Sequence, residues 1–144
     1  MSSVQINCPH CQANNRVPAE RMHDQPSCGR CKGKLFTGQP LELNATNLQA
    51  SLSGNQIPVL VDCWAPWCGP CQGFAPVFAE AAARLEPGLR FAKLNTEAHP
   101  AIAQQWQIRS IPTLILFRDG REQARVAGAL PMPQLLQWLH QQLG

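Results

Sequence analysis

The stretch Trp64-Ala65-Pro66-Trp67-Cys68-Gly69-Pro70-Cys71, directly after the apolar run Pro58-Val59-Leu60-Val61-Asp62-Cys63, decides how this chain is read. An apolar run of strand length, a turn segment and two cysteines three apart entering a helical pattern predict strand, loop and helix start. A helix N-terminus presents unpaired amides and the positive end of the macrodipole, so a thiolate there is stabilised over the thiol. Cys68 is the sulfur so placed. Cys71 lies one turn further in, on the same side and under cover, within reach of a disulfide to Cys68, and reads as the resolving thiol. Pro70 stiffens the first turn, where it has no amide bond to lose.

A Cys-x-x-Cys pair can also be half of a zinc site, and two more such pairs are present. Zinc knuckles hydrogen-bond their sulfurs from backbone amides, and Pro70 deletes one of those donors, so Cys68 and Cys71 read as a redox pair.

Trp67-Cys68-Gly69-Pro70-Cys71, with Val61-Asp62 and Trp64-Ala65 upstream and Ile111-Pro112-Thr113 downstream, resembles the thioredoxin family from about Leu41 to Gly144. The resemblance implies an α/β thioredoxin fold, a mixed central sheet flanked by helices. It implies a protein-disulfide reductase acting by thiol–disulfide exchange on disulfide-containing proteins. Recycling would come from thioredoxin reductase at the expense of NADPH, which the chain does not itself bind. It implies a substrate rim of Trp67, Gly69, Pro70, Ile111, Pro112 and Gly128. The Ile111–Pro112 bond is expected cis on the resemblance; the residues alone favour an ordinary trans proline opening a strand.

Asp62 stands out because a carboxylate inside a buried strand is costly without a task or a partner, and desolvation raises its pKa. By resemblance it lies beneath Cys71 and exchanges the resolving thiol's proton. The structural alternative is a carboxylate satisfied by a neighbouring strand through Lys93, which resembles the family's buried lysine; both can hold together. Cys63, where the family usually has an aromatic residue, faces away from Asp62 by strand alternation and reads as a small buried hydrophobe. Gln72 stands where many members carry a basic residue, which leaves the electropositivity of the site open.

Of 144 residues 44% are hydrophobic, enough for one good core with a small appendage. No segment has the unbroken apolar length of a membrane span, and residues 1–11 lack the charged start and apolar centre of a secretory signal, so a cytoplasmic, membrane-free protein is expected. The net charge of +3 arises within residues 1–40, where Arg16, Arg21, Arg30, Lys32 and Lys34 face Glu20 and Asp24. Four thiolates and one zinc ion would reduce it to about +1, so no nucleic-acid partner is expected.

Cys8-Pro9-His10-Cys11 and Cys28-Gly29-Arg30-Cys31 have the spacing of a four-cysteine zinc site. A segment this short and poor in large apolar side chains needs the metal to fold, so 1–38 is read as a zinc ribbon with Cys8, Cys11, Cys28 and Cys31 as ligands of a structural Zn²⁺, and 39–144 as the main domain. His10 and His23 read as surface residues. Residues 32–40 read as a linker, with Leu35 and Phe36 either in the ribbon's own core or packing it onto the main domain. Ribbon included, the chain resembles the family's zinc-binding bacterial type, thioredoxin 2.

Elsewhere the patterns predict a strand at Pro40–Leu43, a helix through Leu48 and Leu52 capped by Thr46 or Asn47, and a long helix to Leu85 kinked at Pro76. Further on they predict a strand at Leu89–Leu94, a helix at Pro100–Gln107, and a hairpin turning at Asp119-Gly120 between Thr113–Phe117 and Glu122–Val126. The last helix runs from Pro131 to Leu143. A monomer is expected. The competing function is a zinc-dependent redox sensor or interaction module, in which oxidation releases zinc and exposes a binding segment.

Overall fold

The computed structural model describes residues 2–144, which form one small sheet and one five-stranded sheet. In the small sheet β1 (Ser3–Asn7) runs antiparallel to β2 (Asn14–Pro18), with Ser3 opposite Pro18 and Asn7 opposite Asn14. A turn of 3₁₀ helix follows at Ala19–Arg21. Ile6, Val17, Met22 and Leu35, with Cys8 and Cys28, make the ribbon's core, too little apolar surface to order it without further help. The 32–40 segment therefore does more than link: the Leu35 N–H donates to the Pro26 carbonyl at 3.0 Å and its side chain joins that core. Phe36 and Ile57 pack at the cluster's edge.

The large sheet has the order β3-β5-β4-β6-β7, from β3 (Leu41–Glu42), β4 (Val59–Trp64), β5 (Arg90–Asn95), β6 (Thr113–Arg118) and β7 (Arg121–Ala127). β3, β5 and β4 are parallel; β6 is antiparallel to β4, and β7 to β6. β4 is central, and its residues from Val59 to Cys63 are buried, which is why the run is apolar on both faces. The helices are α1 (Leu48–Ser53), α2 (Gly69–Leu85), α3 (Pro100–Gln105) and α4 (Met132–Leu143). On one face Leu60, Phe91, Leu114 and Leu116 meet Phe74 and Phe78 of α2 and Leu135 and Leu139 of α4. On the other, Val61, Cys63, Leu94 and Ile115 meet Leu52 of α1, with Ile102 and Trp106 packed alongside. This is the fold that the resemblance implies.

Several boundaries differ from expectation for local reasons. Asn47 occupies the position before α1, but its side chain points back: Oδ1 accepts the Asn44 N–H at 2.8 Å and Nδ2 donates to the Glu42 carbonyl. Asn44 does the turn's work, its Oδ1 accepting the N–H groups of Thr46 and Asn47. α2 continues through Pro76 to Leu85. α3 stops at Gln105 because Gln107 adopts the left-handed conformation (φ 55°) that ends helices. Asp119 and Gly120 both have positive φ, as a two-residue hairpin turn requires. The peptide bonds before Pro87 and Pro112 are both cis. Among the described residues no helix is long and apolar enough to cross a membrane.

The ribbon docks at one end of the large sheet. Asn7 N–H donates to Asn55 Oδ1 at 2.9 Å, Gln56 N–H donates to the Gln5 carbonyl at 2.9 Å, and both partners precede β4. From Val59 to Trp64 β4 then runs away from the ribbon for about 16 Å at about 3.3 Å per residue. The cysteine pair lies at the far end.

Candidate functional site

Cys68 occupies the N-cap of α2 in an extended conformation, and its Sγ accepts the N–H of Cys71 at 3.2 Å. The two sulfurs are joined as a disulfide with Cα atoms 5.2 Å apart, inside the range that permits the bond without backbone movement. Both residues are largely covered, Cys68 at 5% and Cys71 at 2% exposure, so the difference in cover expected from the sequence is small. The open face comes from their neighbours. Trp67 is 70% exposed, and a side chain built at Gly69 would meet nothing within 4 Å.

Two other segments converge there. The Ile111 carbonyl oxygen lies 3.8 Å from Cys68 Sγ, and Ile111 packs with Trp64, Ala65, Cys68 and Cys71. The Gly128 N–H donates to the Pro112 carbonyl at 2.8 Å, tying the end of β7 to the start of β6. Gly128 has φ 111°, a conformation that L side chains rarely adopt, and open space where a Cβ would stand. Gln72 is exposed in the first turn of α2, its Nε2 donating to the Pro66 carbonyl at 2.6 Å.

Asp62 is fully buried, and neither carboxylate oxygen meets a hydrogen-bond donor among the described residues. It shares a face of β4 with Leu60, the face that α2 covers. Burial pushes its carboxyl up to about 7, against the pull of Lys93, which stands opposite it in the β4–β5 register. The Lys93 ammonium sits 4.5 Å from the centre of the Trp64 ring, a cation–π contact, and makes no hydrogen bond to Asp62. The lysine thus acts through charge. Cys63, on the opposite face, is buried, and desolvation pushes its thiol up to about 12, the environment of an inert core cysteine.

The four N-terminal cysteines form a second cluster, with all Sγ atoms within 4.8 Å of one another. Cys8 and Cys31 are 3.6 Å apart and Cys11 and Cys28 3.7 Å apart; a tetrahedral zinc with bonds of about 2.3 Å has sulfur–sulfur edges of about 3.8 Å. The two knuckles repeat one geometry. Each returns a Cys N–H to the carbonyl five residues on, Cys8 to Ala13 and Cys28 to Gly33. Each puts the residue after its second cysteine, Gln12 or Lys32, at positive φ. His10 N–H donates to Cys8 Sγ and Arg30 N–H to Cys28 Sγ, both at 3.3 Å. The residue two after Cys68 is Pro70, which has no such N–H, so the third pair differs from the knuckles at that position. The Cys31 amide and the Asn15 side chain hold the Cys28 thiol down to about 6, whereas burial pushes Cys8 up to about 12. A cation among the sulfurs reverses the second effect. The donor set fits zinc. His10 and His23 are exposed and stand outside the cluster.

One feature escaped the sequence reading. Arg90, at the start of β5, is buried and donates to the carbonyls of Leu35 and Asn7 in the ribbon. The available signal was a cation inside an apolar strand, the same signal that singles out Asp62.

Comparison with known proteins agrees with this geometry. Residues 39–141 match the thioredoxin family model, and residues 7–33 match a zinc-ribbon model described as thioredoxin 2, N-terminal. Thioredoxin C-3 of Corynebacterium nephridii is 46% identical over 138 residues, covering 96% of this chain and 94% of that one. Thioredoxin 1 of Nostoc sp. is 47% identical over 89 residues, 62% of this chain and 83% of the relative. The chloroplastic M-type thioredoxin of Chlamydomonas reinhardtii is 35% identical over 130 residues, 88% and 93% respectively.

Proposed function

Starting from the fact that this chain belongs to the thioredoxin family and is a protein-disulfide reductase, we propose the roles of its individual residues and partners. Cys68 is the attacking sulfur. Its thiolate displaces one sulfur of a substrate disulfide, forming a Cys68–substrate disulfide and releasing a substrate thiolate that takes up a proton. Cys71 loses its proton to Asp62 and attacks Cys68 Sγ, which forms the Cys68–Cys71 disulfide and releases the second substrate sulfur. Two electrons pass from the dithiol to the substrate. The observation that carries the assignment is the N-cap position of Cys68, with the Cys71 N–H aimed at its sulfur. A thiolate there receives an amide hydrogen bond and the helix's positive end.

Asp62, with a carboxyl near 7, is poised to take and return a proton at neutral pH. Lys93 tunes it. Trp67, Gly69, Pro70, Ile111, Pro112 and Gly128 hold the substrate as an extended segment against the Ile111 backbone. Cys8, Cys11, Cys28 and Cys31 hold a structural zinc, which neutralises thiolate charge and supplies the folding free energy that the small ribbon core lacks. We assign 1–38 to the ribbon and 39–144 to the catalytic domain, a monomer acting in the cytoplasm on protein disulfides and recycled by thioredoxin reductase with NADPH. The test is NADPH oxidation in the presence of thioredoxin reductase and a disulfide-bonded protein, with the native chain and Cys68→Ser compared. Turnover confined to the native chain is expected; equal turnover in the variant removes Cys68 from its role.

A further inference from the structure

Among the described residues, a buried charged network outside the dithiol and the sulfur cluster sits where the ribbon meets the sheet. Arg90 opens β5 at the end remote from Cys68, with its side chain only 3% exposed. A guanidinium in such a place is unfavourable unless its donors find partners and its charge is paired, and among the described residues Arg90 Nε finds none, which leaves the two Nη groups to hold it. Here Nη1 donates to the Leu35 carbonyl at 2.8 Å and Nη2 to the Asn7 carbonyl at 3.1 Å. The Phe36 ring lies 4.5 Å away, and Glu86 Oε2 stands 4.0 Å from Nη1. Glu86 is itself fixed by the N–H groups of Gly38 and Phe91.

Both carbonyl acceptors belong to the ribbon, and both flank metal ligands. Asn7 immediately precedes Cys8. Leu35 leaves the second knuckle four residues after Cys31, and its N–H is bonded to Pro26, two residues before Cys28. One side chain from the catalytic sheet therefore fixes the main chain where it enters the first knuckle and where it leaves the second. The ribbon's own core is small, so the position of these two segments depends on what holds them from outside.

We propose that Arg90 is a positioning residue of the metal centre, supplied by the catalytic domain, and that through it zinc binding in the ribbon and the stability of the large sheet are linked. If the ribbon opens, Arg90 loses the Leu35 and Asn7 carbonyls and keeps Glu86 as its partner. If Arg90 is removed, both knuckles lose an anchor. Linkage of this kind is reciprocal: what the metal does for the sheet, the arginine must do for the metal.

The inference rests on the sulfur cluster being a zinc site, and the experiment separates the two. Zinc content is measured first on the native full-length chain; a chain that binds no added zinc removes both readings. With zinc bound, native, Arg90→Lys, Arg90→Met and Glu86→Gln chains are titrated with a chromogenic chelator, and each is melted with and without zinc. Loss of a group bonded directly to a metal ligand weakens metal binding by about 10–100-fold; Arg90 bonds the main chain beside the ligands, so a loss of about tenfold is expected of Arg90→Met. Arg90→Lys, which keeps the charge on a single nitrogen in place of the two-pronged guanidinium, should fall between. Chelation should lower the melting temperature of the native chain more than that of Arg90→Met. Equal zinc affinity in native and Arg90→Met, with the same loss of melting temperature in both metal states, would show an ordinary packing role and overturn the proposal. If Arg90→Met does not fold, Arg90→Lys and Glu86→Gln decide: weakened zinc binding in both supports it, unchanged binding in both refutes it.

Discussion

Replacing Asp62 by Asn tests the buried carboxyl through stability and catalysis at once. Asp62 titrates near 7 in the fold against 3.8 for an ordinary aspartate, because burial disfavours the charged form. The sign follows from which state holds the proton more tightly. Below about pH 4 the carboxyl is protonated folded or unfolded, and it makes no pH-dependent difference. Between 3.8 and about 7 the unfolded chain ionises while the fold keeps its proton, so stability falls as pH rises, and above about 7 the loss is complete. At about 1.4 kcal/mol per pH unit the full span is at most about 4 kcal/mol, an upper bound that relaxation around the charge reduces. Asp62→Asn removes the titration, so the oxidised variant should gain stability at pH 8.5 and little at pH 4. Urea denaturation of both chains across that range measures it. The same variant should slow the resolving step, toward the lower end of the roughly 10²–10⁴-fold that a positioned proton carrier contributes, since solvent can also take the Cys71 proton. Stability that varies with pH equally in native and variant, or resolution unchanged at pH 7, would remove Asp62 as a buried proton carrier.

Two substitutions probe the rest of the molecule. Trp67→Ala should leave unfolding free energy within about 0.5 kcal/mol, because the ring is mostly in water, and lower kcat/KM for a protein disulfide on the order of tenfold, as for an exposed interface anchor, while sparing a small-molecule disulfide. Gly120→Ala should destabilise by about 1–2 kcal/mol in urea denaturation, since its φ is 77° and the new Cβ would stand 2.6 Å from Ser53 Oγ.

What the sequence discloses is the chemistry that must be local. Pro70, the strand before Cys68 and the spacing of the other two pairs separate the three Cys-x-x-Cys pairs into one redox pair and two knuckles, and the amides of His10 and Arg30 on their sulfurs give the physical reason for the proline's part. Asp62 is visible because a charge interrupts an apolar run. Arg90 carries the same mark, but its meaning lies in carbonyls 55 and 83 residues away, and no periodicity within β5 points to them. The cap expected at Thr46 or Asn47 falls instead to Asn44: Asn44 and Asn47 are both good Asx residues, and only the backbone's path decides which accepts from which. Leu35 could not be assigned from sequence for a similar reason, since an apolar residue after a knuckle fits either side of a junction. The cis bond at Glu86–Pro87 had no motif to announce it, unlike the one at Ile111–Pro112.

If Cys68 attacks and Cys71 resolves, removing Cys71 should trap the mixed disulfide. Cys71→Ser, reduced and mixed with a disulfide-bonded protein substrate, should accumulate a covalent adduct of the two proteins. Intact mass and peptide mapping should place that bond at Cys68, and Cys68→Ser should give no adduct at a comparable rate. An adduct that forms equally well through Cys71 in Cys68→Ser would take the attacking role from Cys68.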